Sequence, residues 1–308
     1  MNNDSNHQTT ERAHFTRIER ILDYIHANID QPLTVELLAK KSCWSRWQLQ
    51  RIFLKETQQT VAQYVREIKL SLSAEQLLAG KARVMDIALD CGFNSEVSFT
   101  RSFKQVFHCS PTAYRKRGQR IGLKTPLITA MPVHQAYEIK KRLLQIRFDH
   151  AEHFYFYGVS GQIRGLFSSE PNYSELVPMI WLKMIDFTGV NTSSKDAFMG
   201  VVDTRVNNGN SQMPYWAGYK VTEEEAKKLT AENILFIPEQ TYAVIPHTGL
   251  ATHLDLTLQW FLSTWLPQSV YKAIEGFHLE IYQSDFDIHR LLCFSPIFQD
   301  PSALEWSV

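Results

Sequence analysis

Apolar positions in the first 120 residues recur at helical spacing almost without a break. Within His14–Ile29, residues Ile18, Ile21, Leu22 and Ile25 form one stripe, which Pro32 ends. A short helix is predicted after Thr34, its N-cap, with Val35, Leu37 and Leu38 available for packing. Ser45 begins the next helix, with Gln48 three residues on as a capping box requires. A long helix over Val61–Leu78 stops at Gly80. Val84–Cys91, then Gly92, then Ser95–Phe107 repeat the order of short helix, turn and longer helix, and Pro111 opens a last short helix containing Tyr114.

The periodicity changes after Gly118–Pro126. Beyond it, alternating, aromatic-rich segments predict strands at Ala136–Phe148, His153–Gly161, Ala197–Thr204, Tyr215–Val221, Thr241–His247, Gly276–Tyr282 and His289–Ser295. Helices are predicted at Tyr173–Phe187 and Thr252–Leu266, and a hairpin loop at Asn207–Pro214. Strand, helix, strand, strand therefore occurs twice, the second copy about 88 residues after the first, which predicts an internally duplicated unit. The expected fold is an all-α N-terminal domain, two helix-turn-helix units joined by a long helix, followed by an α+β domain of duplicated β-α-β-β units. The expected boundaries are residues 1–120, a linker over 121–134, and residues 135–308.

Charge divides the chain in the same place. Residues 1–120 hold 18 Lys and Arg against 12 Asp and Glu, a net of +6, while 121–308 hold 14 against 20, a net of −6. Different partners for the two halves follow. No stretch approaches the roughly 18 apolar residues of a membrane span, and the polar N-terminus lacks a secretory pattern, so a cytoplasmic protein is expected. Cys43, Cys91, Cys109 and Cys293 stand at neither zinc nor redox spacing and are expected as buried, reduced thiols.

On the Ser45–Glu56 helix, at about 100° per residue, Leu49, Ile52 and Phe53 share one side. Trp47, Gln50 and Arg51 share the opposite one. A core face backed by planar, hydrogen-bonding and cationic groups suits a helix in the major groove of DNA. There Arg can fork to guanine, Gln can pair with adenine and Trp can contact a thymine methyl. Fifty residues on, Phe99, Phe103 and Phe107 form a matching core stripe, and Val97, Thr100, Arg101 and Lys104 the outer face. Lys55, Arg66 and Lys69 are candidate phosphate contacts.

With these residues in place, Leu33–Arg117 resembles the AraC/XylS DNA-binding domain. The resemblance is carried by LLAKKSCWSRWQLQRIFLKET (37–57) and MDIALDCGFNSEVSFTRSFKQVFHCSPTAYRK (85–116). Ala88, Gly92, Phe93, Phe99, Arg101, Phe103, Lys104, Ser110, Pro111, Tyr114 and Arg115 stand on signature positions. SRWQLQR and the N-terminal placement are most similar to the MarA, SoxS and Rob group. The resemblance implies seven helices, monomeric binding to an asymmetric site on double-stranded promoter DNA, and activation by touching RNA polymerase. It also implies base contacts from positions matching Trp47, Gln50 and Arg51, with Arg46 and Lys55 beside them on the same helix. Cys43 and Gln58 replace usual glycines. Glu96 and Val97 replace a glutamine pair at the start of the second recognition helix, so the first helix is expected to read more of the sequence.

The second half resembles the GyrI-like effector-binding domain, in a Rob-like order. Its segment FHLEIY (277–282) resembles the late strand that carries a central glutamate, here Glu280. Tyr155, Tyr157, Trp181, Trp216, Tyr219, Glu280 and Tyr282 are the expected pocket for a small amphipathic or cationic effector, since a carboxylate among aromatics awaits a cation or a donor. A hydrolase with Glu280 as general base, or a protein-interaction module, are the alternatives. No nucleophile elbow or phosphate loop is present. The pairs His150/His153 and His247/His253 are poorly spaced for a metal, so neither catalytic residues, metal nor cofactor is expected.

Overall fold

The computed structural model describes residues 2–80, 82–130, 142–166, 168–188, 198–205, 212–248, 254–282 and 290–299. The chain forms two compact units: Met1–Thr129 with Arg142–Arg147, and Ala130–Lys141 with Phe148–Val308.

Among the described residues the first unit holds seven helices: α1 (Asn2–Ala27), α2 (Val35–Ser42), α3 (Arg46–Thr57), α4 (Val61–Ala79), α5 (Val84–Asp90), α6 (Glu96–Phe107) and α7 (Pro111–Arg117). Their starts are set by side-chain caps. Thr34, Ser45, Thr60, Ser95 and Ser110 each accept a hydrogen bond from the amide three residues on, and Ser45 with Gln48 forms the full reciprocal box. α1 runs back to Asn2 through polar residues that carry no apolar stripe, which is why periodicity placed its start at His14. Ile18, Ile21, Leu22, Ile25, Leu38, Leu49, Phe53, Tyr64 and Ile68 make one buried core. Around α6, Phe99, Phe103, Phe107 and Tyr114 make another, with ring centroids 4.4–5.5 Å apart.

Cys43, exposed at the helix end rather than buried as expected, and Gln58 close α2 and α3 at φ 54° and 61°, the left-handed conformation that glycine adopts without a Cβ clash. Cys43→Gly is therefore expected to stabilise the unit by about 0.5–1 kcal/mol, the relief of strain exceeding glycine's extra unfolded-state entropy. A urea midpoint no higher than that of the parent would contradict it.

The stretch read as a linker is anchored instead. Leu127 is buried in the first core and its N–H donates to Tyr64 Oη at 2.9 Å, while Lys124 Nζ lies 2.6 Å from Glu67. Short strands β1 (Leu123–Lys124) and β2 (Ile128–Ala130) lie here, β2 pairing with β3 (Arg142–Leu144). The expected strand Ala136–Phe148 lies outside the described residues up to Lys141, and its remainder divides between β3 and β4.

In the second unit the strands are β4 (Arg147–Ala151), β5 (Phe154–Arg164), β6 (Phe198–Asp203), β7 (Gln212–Val221), β8 (Ile234–Ile237), β9 (Gln240–Thr248), β10 (Tyr271–Ala273), β11 (Phe277–Tyr282) and β12 (Arg290–Gln299). The helices are α8 (Tyr173–Thr188), the short α9 (Glu223–Ala226) and α10 (Leu254–Trp260). The sheet order is β4-β9-β12-β11-β6-β7-β5-β8, with β10 on β12. Each repeat contributes a strand triplet, β6-β7-β5 and β11-β12-β9, and the two meet in antiparallel register at β6 and β11, Gly200 opposite Glu280. The duplication is thus realised as a pseudo-twofold sheet. Corresponding elements begin 86, 81, 79 and 78 residues apart (β5/β9, α8/α10, β6/β11, β7/β12), closer than the expected spacing because the second copy's connections are shorter. Most of the Asn207–Pro214 hairpin loop lies outside the described residues, and β7 already begins at Gln212. One face of the sheet carries a core of Phe154, Phe156, Met199, Val201, Tyr242, Val244, Phe277 and Leu279. Among the described residues no helix is long and apolar enough to cross a membrane.

Candidate nucleic-acid interface and effector site

Leu49 and Phe53 are fully buried, and this fixes the rotation of α3 about its axis. Trp47, Gln50 and Arg51 consequently face solvent together, Trp47 with 63% of its surface exposed. The Arg51 guanidinium lies over the Trp47 ring, 5.1 Å from its centroid, so cation and indole form one exposed platform. Lys55 is exposed one turn on. Arg46 is exposed and pairs with Glu36 at 2.8 Å, a surface ion pair that little energy holds.

On α6, buried Phe99 and Phe103 turn Val97, Arg101 and Lys104 outward, and Thr100 is half-buried. Val97 is 80% exposed. Glu96 is also exposed and occupies the first position of α6, where the helix dipole favours a carboxylate; its role there needs no base contact. Lys69 does not lie where a phosphate could reach it. It is buried and its ammonium donates to the main-chain carbonyls of Gln31 and Cys91. Arg66 on the same helix is exposed.

In the second unit the strand register sorts the expected pocket residues. Glu280 and Tyr282 share a sheet face with Phe198, Gly200, Tyr215 and Tyr219, and α8 covers that face with Tyr173 and Trp181. Glu280 is 3% exposed. One of its oxygens accepts from the Tyr173 hydroxyl, the other from Tyr215 at 2.7 Å and Tyr282 at 2.9 Å. Trp181 Nε1–H donates to the Tyr215 oxygen at 3.1 Å, and its ring meets Tyr282 edge-on at 5.1 Å. Gly200 makes the cluster possible, since a Cβ there would stand 2.2 Å from the Tyr215 hydroxyl oxygen and 2.7 Å from Glu280 Oε2.

Burial raises the Glu280 pKa, the three phenol hydrogen bonds opposing it in part, and no basic side chain among the described residues offsets the charge. Burial also lifts Tyr215 well above the ordinary phenol range, with the Glu280 charge adding to it, so the phenol stays a donor.

Of the other expected pocket residues, Tyr157 and Tyr219 pack edge-on at 5.8 Å on the same face, beside Phe187 of α8. Tyr155 packs against Phe236 of β8, away from Glu280. Trp216 is misplaced in the expectation. Its position between Tyr215 and Ala217 sends it to the opposite face, where it joins the Phe154 core. Tyr173 and Tyr215 went unrecognised. Strict alternation from Tyr219 would have selected Tyr215 and discarded Trp216. His150 bonds Thr241 and His247 bonds Thr257, His153 packs on Phe236, and His253 lies outside the described residues. Among the described residues no group of side chains could hold a metal ion.

Residues 38–117 match the helix-turn-helix domain family, and residues 144–291 the GyrI-like small molecule binding domain. The chain belongs to the AraC family of DNA-binding transcription regulators, in the group of SoxS, MarA and Rob, with the Rob-like order of domains. It is 39% identical over 105 residues to the regulatory protein SoxS of Salmonella typhimurium, covering 34% of this chain and 98% of SoxS. To the transcriptional regulator Rob of the same organism it is 35% identical over 123 residues, 38% of this chain and 43% of Rob. Among solved structures, the DNA-binding domain of AdpA in complex with a target DNA is 27% identical, covering 32% of this chain and 89% of that one, with a TM-score of 0.31.

Proposed function

We propose that the protein activates transcription by inserting α3 and α6 into successive major-groove segments of a promoter, and that the second unit senses a small amphipathic cation. The first unit, residues 1–129 with 142–147, is assigned to DNA, and the second, residues 130–141 with 148–308, to the effector. The observation that supports the first part is the solvent-facing Trp47–Arg51 platform with Gln50 beside it, since leaving a large aromatic in water needs a reason. Two recognition helices in one chain cover both half-sites, about 34 Å apart, without a partner copy, so the protein binds as a monomer. Any shorter separation of the helices bends the DNA, at roughly 1–6 kcal/mol. Contact with RNA polymerase converts occupancy into activation.

A duplex selected by the full chain from a random library provides the test. Arg51→Ala is expected to weaken binding by about 1–3 kcal/mol and to relax preference at one base pair. Lys104→Ala is expected to weaken binding to every sequence alike and to reduce the salt slope by about 1. Both variants binding the duplex like the parent at physiological salt would end the proposal.

For the effector, the carboxylate caged by Tyr173, Tyr215 and Tyr282 supports a cation with an apolar body. A ligand that binds only the folded state raises its melting temperature, so tetraphenylphosphonium is expected to do so and deoxycholate and laurate are not.

Protein docking is a second reading, favoured by Met179 and Leu182 of α8, which are 55% and 63% exposed. Under it, residues 1–120 alone would be more active in cells, and no small molecule would shift melting.

A further inference from the structure

The geometry points to Lys69 as the positioning residue that fixes the separation and rotational phase of the two recognition helices. The inference rests on the proposal that α3 and α6 both enter DNA. Lys69 lies midway along α4, the helix that packs against elements of both halves of the first unit. Its Nζ donates to the Gln31 carbonyl at 2.8 Å, in the loop leaving α1, and to the Cys91 carbonyl at 3.1 Å, at the end of α5. One acceptor therefore belongs to the half that carries α3 and the other to the half that carries α6.

The Cys91 carbonyl caps the C-terminal end of α5, where the macrodipole is negative and favours a cation, and the Gln31 carbonyl lies in the turn that follows α1. A single ammonium thus fastens the turn after α1 to the end of α5. The halves also meet through backbone at this point. Gly92, at φ 75°, follows Cys91, and a Cβ on it would stand 2.7 Å from Lys69 Nζ and 2.9 Å from the Asp30 carbonyl oxygen. A side chain at position 92 does not fit there, so the ammonium and two stretches of main chain meet in close approach at this point.

Lys69 itself is 8% exposed and reaches no ligand, so its effect on DNA passes through α3 and α6. What it controls is which spacing of half-sites is bound. One inserted base pair turns the second half-site by about 35° and moves it about 3.4 Å.

The experiment compares the full chain with Lys69→Met, which keeps the stem and loses the donors, and with Lys69→Gln, which can reach one carbonyl. Each is bound to the selected duplex and to the same duplex with one base pair inserted between the half-sites. The parent is expected to lose at least 10-fold in affinity on insertion, and both variants less than 3-fold while binding the original duplex more weakly. A variant that folds and discriminates between the two duplexes as sharply as the parent overturns the inference. Loss of cooperative melting in both variants overturns it too, since Lys69 would then be a folding residue. Failure of the parent to select any duplex would instead remove the DNA proposal.

Discussion

Glu280→Gln is expected to cost a bound lipophilic cation about 2–5 kcal/mol of affinity, a factor of roughly 30 or more, while raising the melting temperature of the unliganded protein. Both effects have one cause. The Glu280 carboxylate is held out of water by α8 and the sheet, with three phenols donating to it and, among the described residues, no cation bonded to it. Removing a buried, uncompensated charge favours the folded state; the amide oxygen keeps the acceptor role on one side, and on the other its NH2 group donates to a tyrosine hydroxyl. Removing the charge that a cation would neutralise leaves the ligand only its apolar contact with Trp181 and Tyr282.

The raised pKa adds a pH signature. The folded state holds the Glu280 proton to higher pH than the unfolded chain does, so the stability it contributes is present at low pH and is lost as pH rises through the folded value. Cation affinity runs the other way, weakening as pH falls and the acid becomes neutral. Calorimetric titration of parent and variant decides the matter: equal affinity in the two would show that Glu280 does not face the ligand.

The two sites differ in how much of them the chain pattern disclosed. The recognition helices were legible because each is a local object. The Ser45–Gln48 box sets the start of α3, and Leu49 with Phe53 sets its rotation, leaving no freedom in where Trp47, Gln50 and Arg51 face. Lys69 was misread for the converse reason. A lysine in mid-helix reads as a solvated charge, and only the loops at Gln31 and Cys91, 38 and 22 residues away, bury it.

In the sheet unit, element type was legible from alternation, but the face of each residue depends on register. A single residue of slip exchanges Tyr215 for Trp216. Strand β8 was missed because ILFI is a four-residue apolar run with no alternation, separated by only two residues from β9. Tyr173 carries no sequence signal for its role; it reaches Glu280 across 107 residues because α8 lies over β11.

Acid is expected to destabilise the second unit through His278, by up to about 3 kcal/mol between pH 6.5 and about 4. His278 sits on β11 two residues before Glu280 and on the same face, and burial depresses its pKa from 6.5 to about 4. The unfolded chain takes up the proton below pH 6.5 while the folded one does not until about pH 4. Across that window the unfolded state binds more protons and stability falls with pH. The span from 6.5 to about 4, at about 1.36 kcal/mol per pH unit, gives the figure, an upper bound because part of His278 still touches solvent. Glu280 titrates in the opposite sense and would mask the slope, so the measurement belongs in the Glu280→Gln background. There, urea midpoints are expected to drop steadily from pH 6.5 to 4, and His278→Gln to flatten the fall. Parallel curves with and without His278 would mean that the imidazole is hydrated enough to keep its ordinary pKa, and that the sheet beneath α8 is wetter than its packing implies.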